Sequence, residues 1–594
     1  MGQITSAIIA TTLVTLACYL PLAFYSGMVG MMYVQFAVTM CIALCLSTTV
    51  ALVLSPVLCA YLLKPPTGKK RYLFVPFNWS LDLSRRAYLG FVRLFVRQGV
   101  LTLLMFGGVV VALWFLSGKV PGAFLPREDR GYISVRLRLP EGQTLERTIA
   151  VVDEFHERVK DIPGVQSISS TCGKSQLWGS GENLANILVR LDHWDLRKDR
   201  SKHIDSIMEK VKDAASDLYA AQFVFLQPPA IRGLGGSSGV GFNLCAISGQ
   251  TPEELLEVAD GLIATLSTNA LVKSAVHGFT ASTPQLELKL DRRKAESFGL
   301  TPKLVFQTLQ NKLASYYVND FNLKGGVYEV KLQNDPDRRS SINDVLDIRI
   351  PAPNGDAVPL SSIGEVVYTA GSRETMSYNK MLAAWCDVTP APGVPSSRIM
   401  ELVENTELPK NYAIEWGPVA LQEKENEGKL LWLMAAAMLF AYLFLVAQYE
   451  SWNIPVSVML SVLFALTGAF LGLWLTGTAL SIYAQLGCVM LIGLSAKNAI
   501  LMVEFSRQER MSGKSVYEAA VNGANLRYRA VMMTAWSFIF GVLPLVFADG
   551  AGAAAMRAIG ICTCSGMLAA TLVGIVFVPA LYAVFQRLRE FVKR

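Results

Sequence analysis

Eight apolar runs, each near the length of a membrane-crossing helix, flank one polar stretch of about 300 residues. The runs are Ser6–Phe24, Met32–Leu63, Val100–Leu116, Leu430–Ala447, Ile454–Leu475, Ile482–Phe505, Val531–Phe547 and Ile559–Phe585. Backbone in lipid must satisfy its own hydrogen bonds, so such runs are expected to be helices. The expected fold is a multi-pass α-helical membrane protein of about eight transmembrane helices with a large α+β domain outside the bilayer. A content of 52% hydrophobic and 17% charged residues agrees with this.

The sixth run carries Lys497 near its centre, flanked by Ser495 and Asn498. A charge at the bilayer midplane costs about 3 kcal/mol or more, and a helix that keeps one normally serves an ion or proton pathway. Basic residues orient the chain. Eight lie between Lys64 and Arg97, five between Arg507 and Arg529, and the tail adds Arg587, Arg589, Lys593 and Arg594. If the eight helices alternate, these groups share one side, which the positive-inside rule makes cytoplasmic. Both termini are then expected inside and the large domain outside. The net charge of +7 mostly reflects these loops and gives little support to a nucleic-acid partner.

Within Leu81–Val96, apolar Leu83, Ala87, Leu89, Phe91, Leu94 and Phe95 interleave with Arg85, Arg86 and Arg93, as in a helix lying on the inner membrane surface. The first apolar run has no basic leader or small-residue cleavage site, so it is expected to span the membrane. Cys172, Cys245 and Cys386 fall in the external region and imply no disulfide framework. The four histidines show no metal-ligand spacing, so neither a metal nor a cofactor is expected.

The chain repeats itself. Leu20-Pro-Leu-Ala-Phe24 aligns with Leu543-Pro-Leu-Val-Phe547, and the same offset of 523 residues aligns Thr11 with Thr534 and Pro56-Val-Leu-Cys-Ala60 with Pro579-Ala-Leu-Tyr-Ala583. Internal duplication is common among transporters. A complete first copy would require about 460 residues upstream of Met1, so the chain reads as the back half of something larger.

The external region alternates strand and helix. Tyr132–Leu139 reads as a half-buried strand, Leu145 to Val159 as a helical stripe, and a strand follows from Val165. The order recurs at Val240–Ile247, a helix capped by Thr251-Pro-Glu-Glu254, and Val272–Gly278. A third pass comprises Ala383–Val388, Ser397–Glu407 and Tyr412–Trp416. These are split β-α-β units, and residues 285–370 look like an insertion into the second. Two glycine-rich stretches, Gly173–Gly181 and Gly233–Gly239, read either as mobile gates over a cleft or as plain connectors.

Specific strings then carry a resemblance. Gly493-Leu-Ser-Ala-Lys-Asn-Ala-Ile-Leu-Met-Val-Glu504, Tyr449-Glu-Ser-Trp452, Tyr317-Val-Asn-Asp-Phe321 and Phe124-Leu-Pro-Arg-Glu-Asp-Arg-Gly131 resemble the C-terminal half of resistance–nodulation–division efflux pumps, in particular the hydrophobe/amphiphile branch. The resemblance implies a multi-pass bacterial inner-membrane protein with a periplasmic domain. It implies the inner-membrane component of a tripartite multidrug pump: a homotrimer that exchanges protons for amphiphilic compounds and works with a periplasmic adaptor and an outer-membrane channel. It implies no enzyme activity. It divides the chain into two helices (1–63), a cytoplasmic loop with a surface helix (64–98), one helix (99–118), a porter subdomain (119–228), a second porter subdomain in two parts (229–284 and 371–427), a docking-type insert (285–370) and five helices (428–594).

By the same resemblance, Lys497, Thr534 and Arg527 occupy the family's proton-relay positions, with Asn498 beside the lysine. The family's aspartate pair would fall before Met1. Glu504 shares the face of Lys497 and is expected to be structural. The loop Gly173–Gly181 matches the family's switch loop, and Ser170, Ser175, Leu177 and Leu188 stand where well-studied members carry phenylalanines. With Trp178 these are the candidate substrate-binding residues, and Phe223, Phe225 and Pro228-Pro229 are candidates for the outer entrance. The departure weakens the expectation of broad aromatic-drug specificity. One alternative is a transport-inactive half that scaffolds or modulates a complete pump. An ATP-driven pump is disfavoured, because Gly513-Lys514-Ser515 lacks the earlier P-loop glycine, replaced by Gln508.

Overall fold

Apolar length fixes the membrane part. The computed structural model describes residues 5–62, 75–126, 128–229, 239–391, 393–426 and 428–592. Lys64, Lys69, Lys70, Arg71, Lys593 and Arg594, and most of the stretch Gly233–Gly239, lie outside these. Helix α1 spans Thr5–Tyr19 and tightens into a 3-10 turn, Leu20–Phe24, where Pro21 removes a backbone donor. It is followed by α2 (Gly27–Leu62), α3 (Val75–Arg97) and α4 (Gly99–Lys119).

After the extramembrane region come five long helices. They are α9 (Lys429–Tyr449), α10 (Ile454–Thr476), α11 (Ile482–Met511), α12 (Val516–Val546) and α13 (Ala553–Phe591). Among the described residues, seven of these helices are long and apolar enough to cross a membrane, and α1 with its turn is the shorter eighth. Helices α11 and α12 extend well beyond the apolar runs. A capping box in which Ser515 and Glu518 satisfy each other's backbone starts α12 at Val516, fifteen residues before its apolar stretch.

The repeated prolines have matching surroundings. Pro56 in α2 and Pro579 in α13 each follow a π-helical turn, Val50–Leu54 and Ala570–Gly574. A proline within a helix loses a ladder bond and crowds the preceding turn. In the bundle, α11 is central: 78% of its most apolar window is buried, against 6% for α2 and 11% for α4. Helix α3 is amphipathic, but it buries Tyr88, Val92, Phe95 and Val96 against the bundle. Tyr88 stacks on Tyr528 at 4.6 Å and Phe95 meets Phe577 at 4.8 Å. Leu83, Phe91 and Leu94, which belong to the expected membrane-facing stripe, stay exposed.

The extramembrane region contains two sheets of one topology. In the first unit, β1 (Tyr132–Arg138), α5 (Leu145–Val159), β2 (Val165–Ser175), β3 (Gly179–Leu191), α6 (Ile204–Ala215) and β4 (Gln222–Leu226) form an antiparallel sheet ordered β2-β3-β1-β4. In the second, β5 (Val240–Ala246), α7 (Pro252–Ser267) and β6 (Val272–His277) combine with β11 (Met381–Pro390), α8 (Ser396–Glu404) and β12 (Tyr412–Trp416). Here β11 pairs with both β6 and β5, and β12 pairs with β5. The third strand–helix–strand pass therefore completes the second unit.

The insert joins β7 (Thr283–Leu290) to β10 (Gly364–Gly371) and carries its own small core around Ala295, Ile350 and Leu360. It also projects a hairpin, β8 (Tyr316–Leu323) and β9 (Gly326–Leu332), whose Tyr317, Val318, Phe321, Val327, Tyr328 and Leu332 are all exposed.

Candidate functional site: a membrane lysine and an inter-unit cleft

Lys497 sits on the most buried helix of the bundle, yet from Ser481 to Ile500 it is the one exposed residue. Its direction is set one turn earlier. Gly493 lies so close to α1 that a Cβ there would stand 2.7 Å from Thr15 Cγ2, so only glycine allows this crossing. Among the described residues Lys497 forms no ion pair.

Thr534 and Arg527 lie two turns apart on one face of α12, which packs beside α11. Thr534 is exposed and its hydroxyl donates to the Val531 carbonyl at 3.0 Å. The Arg527 guanidinium lies over the Phe505 ring, 3.4 Å from its centroid. Asn498 takes a different face from Lys497. It lines a pocket of about 10 Å³, room for one water, together with Ser461, Ser495 and Thr571. Glu504 lies 3.9 Å from Arg507 and accepts a hydrogen bond from Gln508.

The second feature lies between the two α/β units. Each sheet packs its helices on one face, and the two opposite faces meet. Leu177, Trp178, Leu184, Val224 and Leu226 of the first unit pack with Val276 and Trp385 of the second. A cleft of about 450 Å³ remains there, lined by Arg136, Gln176, Leu177, Trp178 and Gly179 on one side and by Phe279, Thr280, Arg373, Glu374 and Trp385 on the other. Trp178 Nε1 donates to the His277 carbonyl at 3.1 Å, and the Arg138 guanidinium lies 5.7 Å from its ring centroid.

The stretch Gly173–Gly181 is the hairpin between β2 and β3, with Ser175 paired to Gly179 and a tight turn at Gln176–Trp178. Ser175 Oγ accepts from the Leu177 amide at 3.3 Å, which shapes the turn. Gly179 holds a φ of +78°, which favours glycine, and the ends of the Glu374 and Arg373 side chains lie close beside Gly179 and Gly181. This closeness lets Glu374 accept from the Ser180 amide at 3.0 Å, while Arg373 pairs with Glu141.

Of the candidate substrate residues, Leu177 and Trp178 line the cleft. Ser175 is buried under the turn. Leu188 is exposed on the open face of the first sheet, away from the cleft, and Ser170 is exposed on edge strand β2. Phe223 and Phe225 face the helices: Phe223 stacks on Phe155 at 5.4 Å, and both pack against the first unit's core. Alternation along β4 instead turns Val224 and Leu226 towards the second unit.

Arg136, Arg373, Glu374 and Trp385 were missed in the sequence. Arg136 occupies the polar phase of an alternating strand, which by itself reads as solvated. Here it is 1% exposed. Burial pulls its guanidinium below the ordinary value, and nearby Asp387 opposes that shift.

A helical membrane bundle with a polar, lysine-bearing central helix is joined to paired α/β units around a cleft. The family profile described as AcrB/AcrD/AcrF matches residues 1–586, and the chain belongs to that family of resistance–nodulation–division proteins. It is 33% identical over 596 residues to the multidrug/solvent efflux pump membrane transporter MepB of Pseudomonas putida, covering 99% of this chain and 57% of that one. The toluene efflux pump membrane transporter TtgB, also of Pseudomonas putida, matches at the same identity and coverage. The multidrug export protein AcrF of Escherichia coli (strain K12) is 33% identical over 598 residues, covering 99% of this chain and 58% of that one. The chain thus spans a little over half the length of the curated relatives it matches.

Proposed function

We infer that this chain forms part of a proton-driven exporter of amphiphilic compounds in the bacterial inner membrane. The observation that carries this reading is Lys497, exposed at one point on the most buried helix of the bundle. A charge held within hydrocarbon is costly unless an opposite charge lies beside it. Lys497 is therefore met by an acidic partner on the face it presents. Protonation of that partner releases the lysine, and the two states rock the bundle against the α/β units. Arg527 and Thr534 line the same path from α12.

In this reading the inter-unit cleft is a substrate chamber, with Leu177 and Trp178 in its wall. The exposed aromatic and aliphatic side chains of the β8–β9 hairpin support assembly with further copies, consistent with a homotrimer, since apolar surface of this kind is seldom left to solvent. The α/β units face the periplasm, where an adaptor and an outer-membrane channel complete the route.

The test is Lys497→Ala in everted vesicles prepared from cells that express the protein at its native locus. Proton-coupled export of a fluorescent amphiphile is expected to be lost while trimer size is kept. Undiminished export would remove the lysine from the mechanism.

A further inference from the structure

We propose that His277 is a proton-sensitive latch between the two α/β units, holding the wall of their cleft when neutral and releasing it when protonated. The latch depends on contacts between the units, not on the reading of the cleft as a substrate chamber.

The chain leaving β6, His277–Thr280, is a strap along the cleft, and each of its residues is tied down. The His277 carbonyl accepts from Trp178 Nε1 at 3.1 Å, across the boundary between the units. The Gly278 amide donates to the Trp385 carbonyl at 2.8 Å, and a Cβ on Gly278 would stand 2.1 Å from the Leu177 carbonyl oxygen of the first unit. Thr280 Oγ1 accepts from Arg138 of the first unit at 3.4 Å. Phe279 is 5% exposed, and its amide donates to His277 Nδ1 at 3.3 Å.

That last bond depends on the state of the ring. One nitrogen of a neutral imidazole donates and the other accepts, whereas both donate once the ring is protonated. Because Nδ1 accepts from the Phe279 amide, the proton sits on Nε2, which donates to the Asp260 carboxylate on α7 at 2.8 Å. Protonation keeps the Asp260 contact as an ion pair but turns Nδ1 into a donor. Two N–H groups then face each other, and the amide of a buried residue loses its acceptor. The strap must shift to relieve this, and it takes with it the carbonyl that holds Trp178.

The ring's surroundings come from three elements. Helix α7 supplies Asp260, β11 supplies Cys386 opposite it, and β6 itself supplies Lys273. Burial holds the Cys386 thiol far above its ordinary value, so it stays neutral. Across the boundary, Arg138 is engaged by Glu141 at 3.1 Å as well as by Thr280. His277 is half-buried and Asp260 is exposed, so protons reach the ring from solvent. In the proposed exporter these units face the proton-rich side, where the released state is favoured.

Hydrogen–deuterium exchange tests the latch on protein purified from cells that express it at its native locus. It is read by mass spectrometry at about pH 8 and about pH 5, the span over which histidines change charge. After correction for the intrinsic pH dependence of exchange, peptides covering residues 277–280 are expected to lose protection about fivefold at the lower pH, the worth of one hydrogen bond. Peptides of the Gly173–Gly181 hairpin should lose protection with them. His277→Asn keeps a side-chain acceptor for the amide two residues on, without a titrating ring, and should stay protected at both values. Asp260→Asn removes the acid that favours the charged ring and should need stronger acid for the same loss.

Unchanged protection in the wild-type protein, or a loss that persists in His277→Asn, would overturn the proposal. An Asp260→Asn protein that loosens at the same pH as the wild type would overturn the ring as the source of the change. Lys497→Ala in vesicles reads proton coupling separately, so neither result stands in for the other.

Discussion

The two α/β units share a strand order and a helix-on-one-face design, yet they are built from differently arranged stretches of chain. The first runs without interruption from Tyr132 to Leu226. The second is split between β6 and β11 by an insert with its own core. Their open faces also differ in sign, with Arg136 on one and Asp387 on the other. A split βαβ unit thus tolerates a long insertion where its two halves join, because pairing of β11 with β5 and β6 restores the sheet. The opposed charges make the two faces electrostatically complementary.

That comparison can be broken most severely at the charges. Asp387→Leu alone leaves a buried arginine without its neighbouring acid and should destabilise the α/β region by about 3–5 kcal/mol, whereas adding Arg136→Met should return stability to near the parent value. Thermal unfolding of the four proteins of this cycle measures the coupling. Equal losses in both single variants with no recovery in the double would deny that the faces act as a pair.

The cores give the next effect. Phe155 and Phe242 are fully buried in the first and second units, and each change to alanine should cost about 3–5 kcal/mol. If the units unfold independently, scanning calorimetry will show a different transition shifted by each variant. A single shared transition in both would mean that the interface fuses them.

Helix caps sharpen the comparison at smaller scale. Thr251 and Glu254 form a full capping box on α7, while Thr144 caps α5 alone, accepting from the Arg147 amide. Thr251→Ala should cost about 1 kcal/mol, and Thr144→Ala no more than that. Denaturant midpoints read the order, and a larger loss at Thr144 would contradict it.

The mildest probe is thiol chemistry. Burial, with Glu415 adding to it, pushes Cys245 of the second unit up to about 11. Burial also raises Cys172 of the first unit, which stays partly accessible. A raised value depletes the thiolate at neutral pH, so alkylation of Cys245 should become fast only as pH approaches its shifted value. Cys172 should react first at every pH. Peptide mass mapping after brief maleimide treatment decides, and early labelling of Cys245 would place it nearer solvent.

In the membrane part, apolar length and the Lys497 interruption were legible because lipid imposes a simple rule on both: a helix must be long, and a charge in it must have a reason. Helix ends were less legible, since the capping box at Ser515 starts α12 within a polar stretch that hydropathy ignores. Strands and helices in the external region followed from alternation and caps. Local pattern could not say which polar face would be buried, because the Arg136 phase of β1 resembles any solvated strand face.

The sequence by itself determined the apolar helices, the internal repeat, the strand–helix order of both units and the candidate lysine, all of which depend on neighbours within a few turns of chain. Only the tertiary structure decided that Lys497 is the one exposed residue between Ser481 and Ile500 and that Gly173–Gly181 is a hairpin fitted against Arg373 and Glu374. It also decided that Phe223 and Phe225 belong to a core and that Arg136 faces a cleft. Each of these depends on which surfaces meet across long sequence separations. The partner of a face is set by packing between elements, not by the periodicity within one.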